Sequence, residues 1–112
     1  MKHFISACFL MIMAGSDIAF ASDPLPLDRI RLPEGFHIEL YARVDGARSL
    51  ALSDNGILFV GTLIDGKVYA VIDESRYGDE NKVITIARDL FMPNGVAVKN
   101  GDLYVAEVNR IL

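Results

Sequence analysis

The chain repeats itself with a period of about 45 residues, and that self-similarity restricts its fold more than any single motif does. Ala42-Arg43 recurs as Ala87-Arg88, 45 positions later. The stretch 49–61, which contains Asp54-Asn55-Gly56, returns over 95–106, which contains Asn100-Gly101. The offset is 46 before that turn and 45 after it, so the first copy holds one more turn residue. Farther along, Gly66-Lys67-Val68-Tyr69 is answered by Asn109-Arg110-Ile111-Leu112.

Each copy divides into short strands. Residues 50–52 and 57–60 flank the first turn, and residues 96–98 and 103–105 flank the second. Asn-Gly between apolar runs is a strong hairpin signal, because both residues tolerate the positive φ of a type I′ turn. Asp65-Gly66 turns into a third strand at 68–72, and a fourth at 83–87 follows the charged loop 73–82. No segment sustains a helical period. The central runs are apolar without alternation, as in strands covered on both faces.

Four antiparallel strands in a repeat of this length predict an all-β chain of β-propeller blades, each a four-stranded antiparallel meander. A small sandwich or barrel made of similar hairpins is the alternative. The first blade is expected at about 49–87 and a partial second at about 95–112. Residues 36–41 alternate, with Phe36, Ile38 and Leu40 on one side and His37, Glu39 and Tyr41 on the other. They are expected to be an outer strand that closes the ring against a final blade. Blades bury their faces only against neighbours, so residues 22–112 are expected to be the N-terminal part of a longer propeller that needs its remaining blades for stability.

Residues 1–21 read as a signal peptide. Lys2 and His3 precede the apolar run 4–14, and Ala19-Phe20-Ala21 supplies small residues for cleavage after Ala21. The run is about 11 residues, short of the roughly 20 that span a bilayer, so no membrane span is expected. A lipoprotein box at Ile5-Ser6-Ala7-Cys8 would lie too near the start to follow an apolar core. The expected location is periplasmic or secreted. Cleavage removes Cys8, the single cysteine, which excludes a disulfide scaffold and cysteine chemistry. Lys2 and Asp17 leave together, so the formal charge stays at −4, which excludes nucleic-acid binding by bulk charge.

Several stretches resemble the start of the sorbosone dehydrogenase group of the glucose/sorbosone dehydrogenase family: Leu32-Pro33-Glu34-Gly35-Phe36, Ala47-Arg48-Ser49-Leu50-Ala51-Leu52, Val60-Gly61-Thr62, Gly66-Lys67-Val68-Tyr69-Ala70-Val71, Met92-Pro93-Asn94-Gly95-Val96-Ala97 and the run 103–112. The resemblance implies about two blades of a secreted six-bladed propeller. It also implies oxidation of a small-molecule sugar or sugar aldehyde, with pyrroloquinoline quinone accepting hydride and calcium polarising it. In glucose-oxidising members the histidine base and the arginines around the quinone lie on later blades, so no catalytic residue carries over to this chain.

In a propeller, ligands gather where the loops between blades meet the loops joining second and third strands. Those loops are 45–49 with 63–65, and 91–95 with 107–110. Arg48 and Asn94 occupy equivalent places there. An arginine could hold a quinone carboxylate as a bidentate pair, and an asparagine carbonyl could ligate calcium or meet a sugar hydroxyl. Otherwise Asn94 shapes the Pro93-Asn94-Gly95 turn and Arg48 is solvated. Glu107, Asn109 and Arg110 form the densest polar set after a buried strand. A carboxylate there could take a metal or substrate hydroxyl and Arg110 an anion, or Glu107 and Arg110 pair across a turn. His37, on the outer strand, is placed away from any channel, and the acidic loop 73–82 lacks the spacing of an EF-hand. Asn94 as a metal ligand would instead suit a metal-dependent sugar-lactone hydrolase of the gluconolactonase type. A non-catalytic binding platform is the third class.

Overall fold

The computed structural model describes residues 25–112 except Asp79; the expected leader and its cleavage site lie outside them. The described chain is all-β, with two short 3-10 turns at Leu27–Arg29 and Ser75–Tyr77. Strands β1 (Ala47–Leu52), β2 (Leu58–Thr62), β3 (Val68–Ile72) and β4 (Lys82–Ala87) form one antiparallel sheet in the order of the sequence. Strands β5 (Gly95–Lys99) and β6 (Asp102–Ala106) form a second, two-stranded sheet. Among the described residues no helix is long and apolar enough to cross a membrane.

The two units share one register. Ser49 faces Gly61 across β1 and β2, and Gly95 faces Ala106 across β5 and β6, which are the partners the repeat makes equivalent. Beyond β6 the chain reverses. Ile111 bridges Ala106, and Leu112 exchanges both main-chain hydrogen bonds with Val105. Val68 holds the corresponding place beside Gly61, so residues 111–112 occupy the position of β3 in the second unit.

The hairpin turns differ, and the extra residue explains it. Asn100 and Gly101 both have positive φ (53° and 84°) between the paired residues Lys99 and Asp102, which is the expected two-residue type I′ turn. In the first unit only Gly56 has positive φ (84°), and Asn55 does not. With one more residue to accommodate, the loop closes on Ser53 and Ile57 through a three-residue turn ended by a left-handed glycine. Ser53 fastens it: its hydroxyl accepts from the Ile57 N–H (3.0 Å) and donates to the Ile57 carbonyl (2.9 Å).

Residues 36–41 form no strand and pair with none among the described residues, and all six are exposed. The segment passes the outer edge of the first sheet instead, where Asn81 Nδ2 donates to the Tyr41 carbonyl at 3.0 Å.

Burial concentrates in the middle of the first sheet. Val60, Val68 and Val71 are 0–2% exposed, with Thr62 and Pro93 also fully buried. β-Branched residues suit this position because they pack densely on a pleated surface. The second unit lies against β1 and β2 through β5. Its approach requires Gly61: a Cβ there would stand 2.5 Å from the Asn94 carbonyl oxygen and 2.7 Å from that of Pro93. Backbone cannot yield as a side-chain tip can, so Gly61→Ala is expected to destabilise the fold by about 1–3 kcal/mol, the usual cost of overpacking. A urea denaturation midpoint unchanged from wild type would contradict this close contact.

Candidate functional site

The linker 88–94 carries the chain from β4 to β5 and, of the expected site residues, holds Asn94 and meets Glu107, while Arg48 lies in a separate hollow. The linker bends twice through left-handed backbone, at Asp89 (φ 58°) and Met92 (φ 52°). Gly46, just before β1, has φ 65° at the place equivalent to Met92, so the entry to the first strand is shaped alike in both units. On one side the linker meets the first sheet. Leu90 N–H donates to the Gly66 carbonyl at 3.0 Å, and Ser49 Oγ donates to the Asn94 carbonyl. On its other side it meets the loop 107–110, where Val108 N–H donates to the Phe91 carbonyl at 3.3 Å.

Glu107 stands at the centre of that second contact. Its side chain is 1% exposed, and both carboxylate oxygens are used. One accepts from the Phe91 N–H and the other from Arg110 Nε. A buried carboxylate is costly unless its oxygens are satisfied, and here a main-chain amide and a guanidinium satisfy them. The Arg110 guanidinium first, and the Phe91 amide second, hold the Glu107 carboxyl below the ordinary glutamate range. Arg110 is held above its own ordinary value by the same pair, while its side chain stays 59% exposed. The main chain closes the turn, with Glu107 N–H donating to the Arg110 carbonyl at 2.9 Å, and leaves Asn109 exposed at its tip.

Thr62 occupies the same position in the first unit and does a similar job. It is fully buried, donates to the Lys67 carbonyl (2.7 Å) and accepts from the Lys67 N–H (3.1 Å). Thr62 and Glu107 are the two buried polar residues among those described. Each pins the loop that follows its strand, and Glu107 additionally reaches the linker.

Arg48 and Asn94 hold equivalent positions, as the repeat requires, but differ in engagement. Asn94 uses its main chain: the carbonyl accepts from Ser49, and the N–H donates to the Met92 carbonyl at 2.7 Å, while the residue itself is exposed. Arg48 is the extra residue of a bulge between Ala47 and Ser49. Its guanidinium forms no ion pair with a described residue and lines an open hollow of about 550 Å³ with Asp45, Gly46, Leu63, Ile64 and Asp65.

Asp65, in the lining of that hollow, belongs to a set the sequence did not single out. Tyr69 donates its hydroxyl to Asp65 Oδ2 at 2.6 Å, and Lys67 Nζ approaches Asp65 Oδ1 at 3.1 Å. The Tyr69 hydrogen bond, then that of Lys67, lowers the Asp65 pKa. Asp65 in turn raises those of Lys67 and Tyr69. The spacing i, i+2, i+4 around a hairpin loop was the available signal, since alternate residues of a strand share a face.

A second hollow, of about 540 Å³, opens between residues 39–43 and the outer loop, lined by Asp73, Ser75, Glu80, Asn81 and Val83. The loop is braced internally: Asp73 Oδ1 accepts from the Ser75 N–H (2.9 Å), and Asn81 Oδ1 accepts from the Glu74 N–H (3.0 Å). His37 is exposed and takes no part in either hollow. Among the described residues no three His, Cys, Asp or Glu side chains converge to hold a metal. Glu107 is buried against Phe91 and Arg110, which closes it to a second cation while that contact holds.

No family model, curated protein or solved structure matches the chain.

Because the folded pKa of Glu107 lies below the unfolded one, its contribution to stability is complete above the ordinary glutamate value of about 4.3 and is lost as pH falls through the lower folded value. In urea titrations repeated across that range, Glu107→Gln is expected to be less stable than wild type at neutral pH. The gap should narrow as the solution is acidified. A gap independent of pH would show that the carboxylate charge contributes nothing to the turn.

Proposed function

We propose that the two units are consecutive blades of a β-propeller, and that the propeller is a secreted or periplasmic enzyme oxidising a sugar or sugar aldehyde with pyrroloquinoline quinone. The observation that carries the propeller is the repeated register. Two antiparallel units pair the same equivalent residues and meet through β1, β2 and β5, as adjacent blades do near a central axis. The redox chemistry is supported by the resemblance of the turn and strand motifs to the sorbosone dehydrogenase group.

On this chain the group best suited to the cofactor is Arg48. Its side chain projects from a bulge, a device that redirects a residue out of the ladder, and its charge is uncommitted among the described residues. A planar guanidinium matches a quinone carboxylate through two parallel hydrogen bonds. Asp65 in the same hollow is tied to Lys67 and Tyr69, which lessens its repulsion of an anion. The described residues do not fit a calcium site: Asn94 offers one amide oxygen, and Glu107 is buried with each oxygen already hydrogen-bonded. When bound, the quinone supplies the hydride acceptor, and this chain's part is to bind and orient it.

Reconstitution of the complete polypeptide with pyrroloquinoline quinone and calcium tests the reading. Sugar-dependent reduction of an artificial dye is the expected result. Arg48→Ala should weaken quinone binding by the worth of a charged hydrogen bond, about 1.5–3 kcal/mol or roughly tenfold to a hundredfold in affinity. No quinone absorbance shift and no dye reduction would overturn the oxidoreductase. Divalent-dependent lactone hydrolysis abolished by Asn94→Ala would assign the protein to the hydrolases instead.

A further inference from the structure

Three asparagines precede glycine in this chain: Asn55-Gly56, Asn94-Gly95 and Asn100-Gly101. Such a pair can rearrange without an enzyme. The glycine amide nitrogen gives up its proton to base and attacks the side-chain carbonyl carbon of the asparagine, closing a cyclic imide as ammonia leaves. Water then opens the ring at either carbonyl, which gives aspartate or isoaspartate. The sequence is redox-neutral, and water is its single co-reactant. Glycine favours ring closure because it has no side chain in the way and leaves the backbone free to rotate. Two things decide among three such pairs: whether the glycine N–H is free, and whether the backbone around it can move.

At the first two pairs the N–H is in use. Gly56 N–H donates to the Ser53 carbonyl at 2.9 Å, and the Ser53 hydroxyl also reaches Asn55 Oδ1. Gly95 opens β5 opposite Ala106. Bonded and non-bonded pairs alternate along an antiparallel ladder, and the pair closing a two-residue turn, here Lys99 with Asp102, is a bonded one. Alternation from there puts Ala97–Tyr104 and Gly95–Ala106 in the bonded class, so the Ala106 carbonyl holds the Gly95 N–H. Val105, in the other class, sends its N–H away from β5 to the Leu112 carbonyl. Asn94 is fixed further by its main-chain bonds to Ser49 and Met92.

The third pair lies outside the ladder. Asn100 and Gly101 are the two turn residues, both are exposed, and the Gly101 N–H makes no hydrogen bond among the described residues. Ring closure requires the backbone at Asn100 to leave its left-handed conformation, and a hairpin tip is where local opening costs least. We propose that Asn100 is a site of spontaneous deamidation and isomerisation, and that the fold shields Asn55 and Asn94 from the same reaction. Isoaspartate at this position inserts an extra carbon into the main chain, which a two-residue turn between Lys99 and Asp102 does not hold in register. Aspartate instead adds a carboxylate two residues from Asp102. The site follows from hairpin geometry and does not depend on the quinone chemistry.

Peptide mapping by mass spectrometry of the full chain, aged in mildly alkaline buffer, tests this. Conversion at Asn100 is expected to run about tenfold faster than at Asn55 or Asn94, since hydrogen bonds must break at each of those before the ring can close. In urea the three should convert at similar rates, because each precedes a glycine. Ser53→Ala, which unclasps the first turn, should raise the Asn55 rate in the folded chain and leave the Asn100 rate unchanged. Equal rates in the folded chain, faster conversion at Asn55 or Asn94, or an ordering that persists in urea would each overturn the proposal.

Discussion

The fold depends on how the linker 88–94 is held between the two units. A segment crossing the end of a sheet carries polar main-chain groups that need partners wherever it is covered. Here they go to both neighbours. The first unit takes the Leu90 N–H at Gly66 and supplies the Ser49 hydroxyl to the Asn94 carbonyl. The second supplies the Glu107 carboxylate to the Phe91 N–H and the Val108 N–H to the Phe91 carbonyl. Pro93, which has no N–H to satisfy, is the fully buried residue of the segment. A linker bonded on two sides sets the spacing of the sheets, and that spacing explains why glycine is required where it passes. At Gly66, as at Gly61, a Cβ would collide with a linker carbonyl, 2.8 Å away at Leu90.

Much of this was legible in the sequence, because repeats constrain register. The pairing of Ser49 with Gly61 and of Gly95 with Ala106 follows from one alignment with one gap, and the return of Ile111 beside Ala106 from a further gap of two residues in the loop before it. The first gap even marks which hairpin would depart from a two-residue turn, although Asn55-Gly56 looks like Asn100-Gly101 locally. Residues 36–41 were not legible in this way. Their alternation is that of a half-exposed strand, but alternation states a preference for an edge and names no partner; in the structure they lie exposed beside the outer loop. The roles of Glu107 and Thr62 were also hidden. Glu107 could be suspected of pairing with Arg110 from their spacing, but its hydrogen bond to the Phe91 amide spans 16 residues and depends on the linker path. Nothing periodic encodes such a contact.

The equivalence of Thr62 and Glu107 shows how one repeat position can be given different reach. Both sit where a strand ends and a loop begins, in a place dry enough that an unpaired polar atom would be costly. A threonine hydroxyl donates and accepts at short range and so brackets its own loop through Lys67. A glutamate is longer and accepts only, so it needs two donors, and it finds them in different elements. The loop after β6 is two residues shorter than the loop after β2, which brings Arg110 close enough to be one of them.

The same comparison separates residues that hold the structure from residues able to meet a ligand. Asn94 and Arg48 are equivalent, yet the main chain of Asn94 is committed on both its N–H and its carbonyl, and the Asn94 carbonyl is what Ser49 and Gly61 contact. Arg48 is the extra residue of its bulge, so neither the ladder nor the linker needs its side chain. Glu107 and Arg110 neutralise one another and stabilise the linker together, so displacing either would loosen the contact between the units. A ligand recruited to this edge of the fold would thus disturb least by engaging Arg48. The hollow there is lined by Leu63 and Ile64 and carries Asp65, already matched by lysine and tyrosine, and Asp45. An anion engaging Arg48 would therefore meet one guanidinium against the opposing charge of Asp45, so the planar pairing of a guanidinium with a carboxylate, and not the net charge of the hollow, is what would hold it.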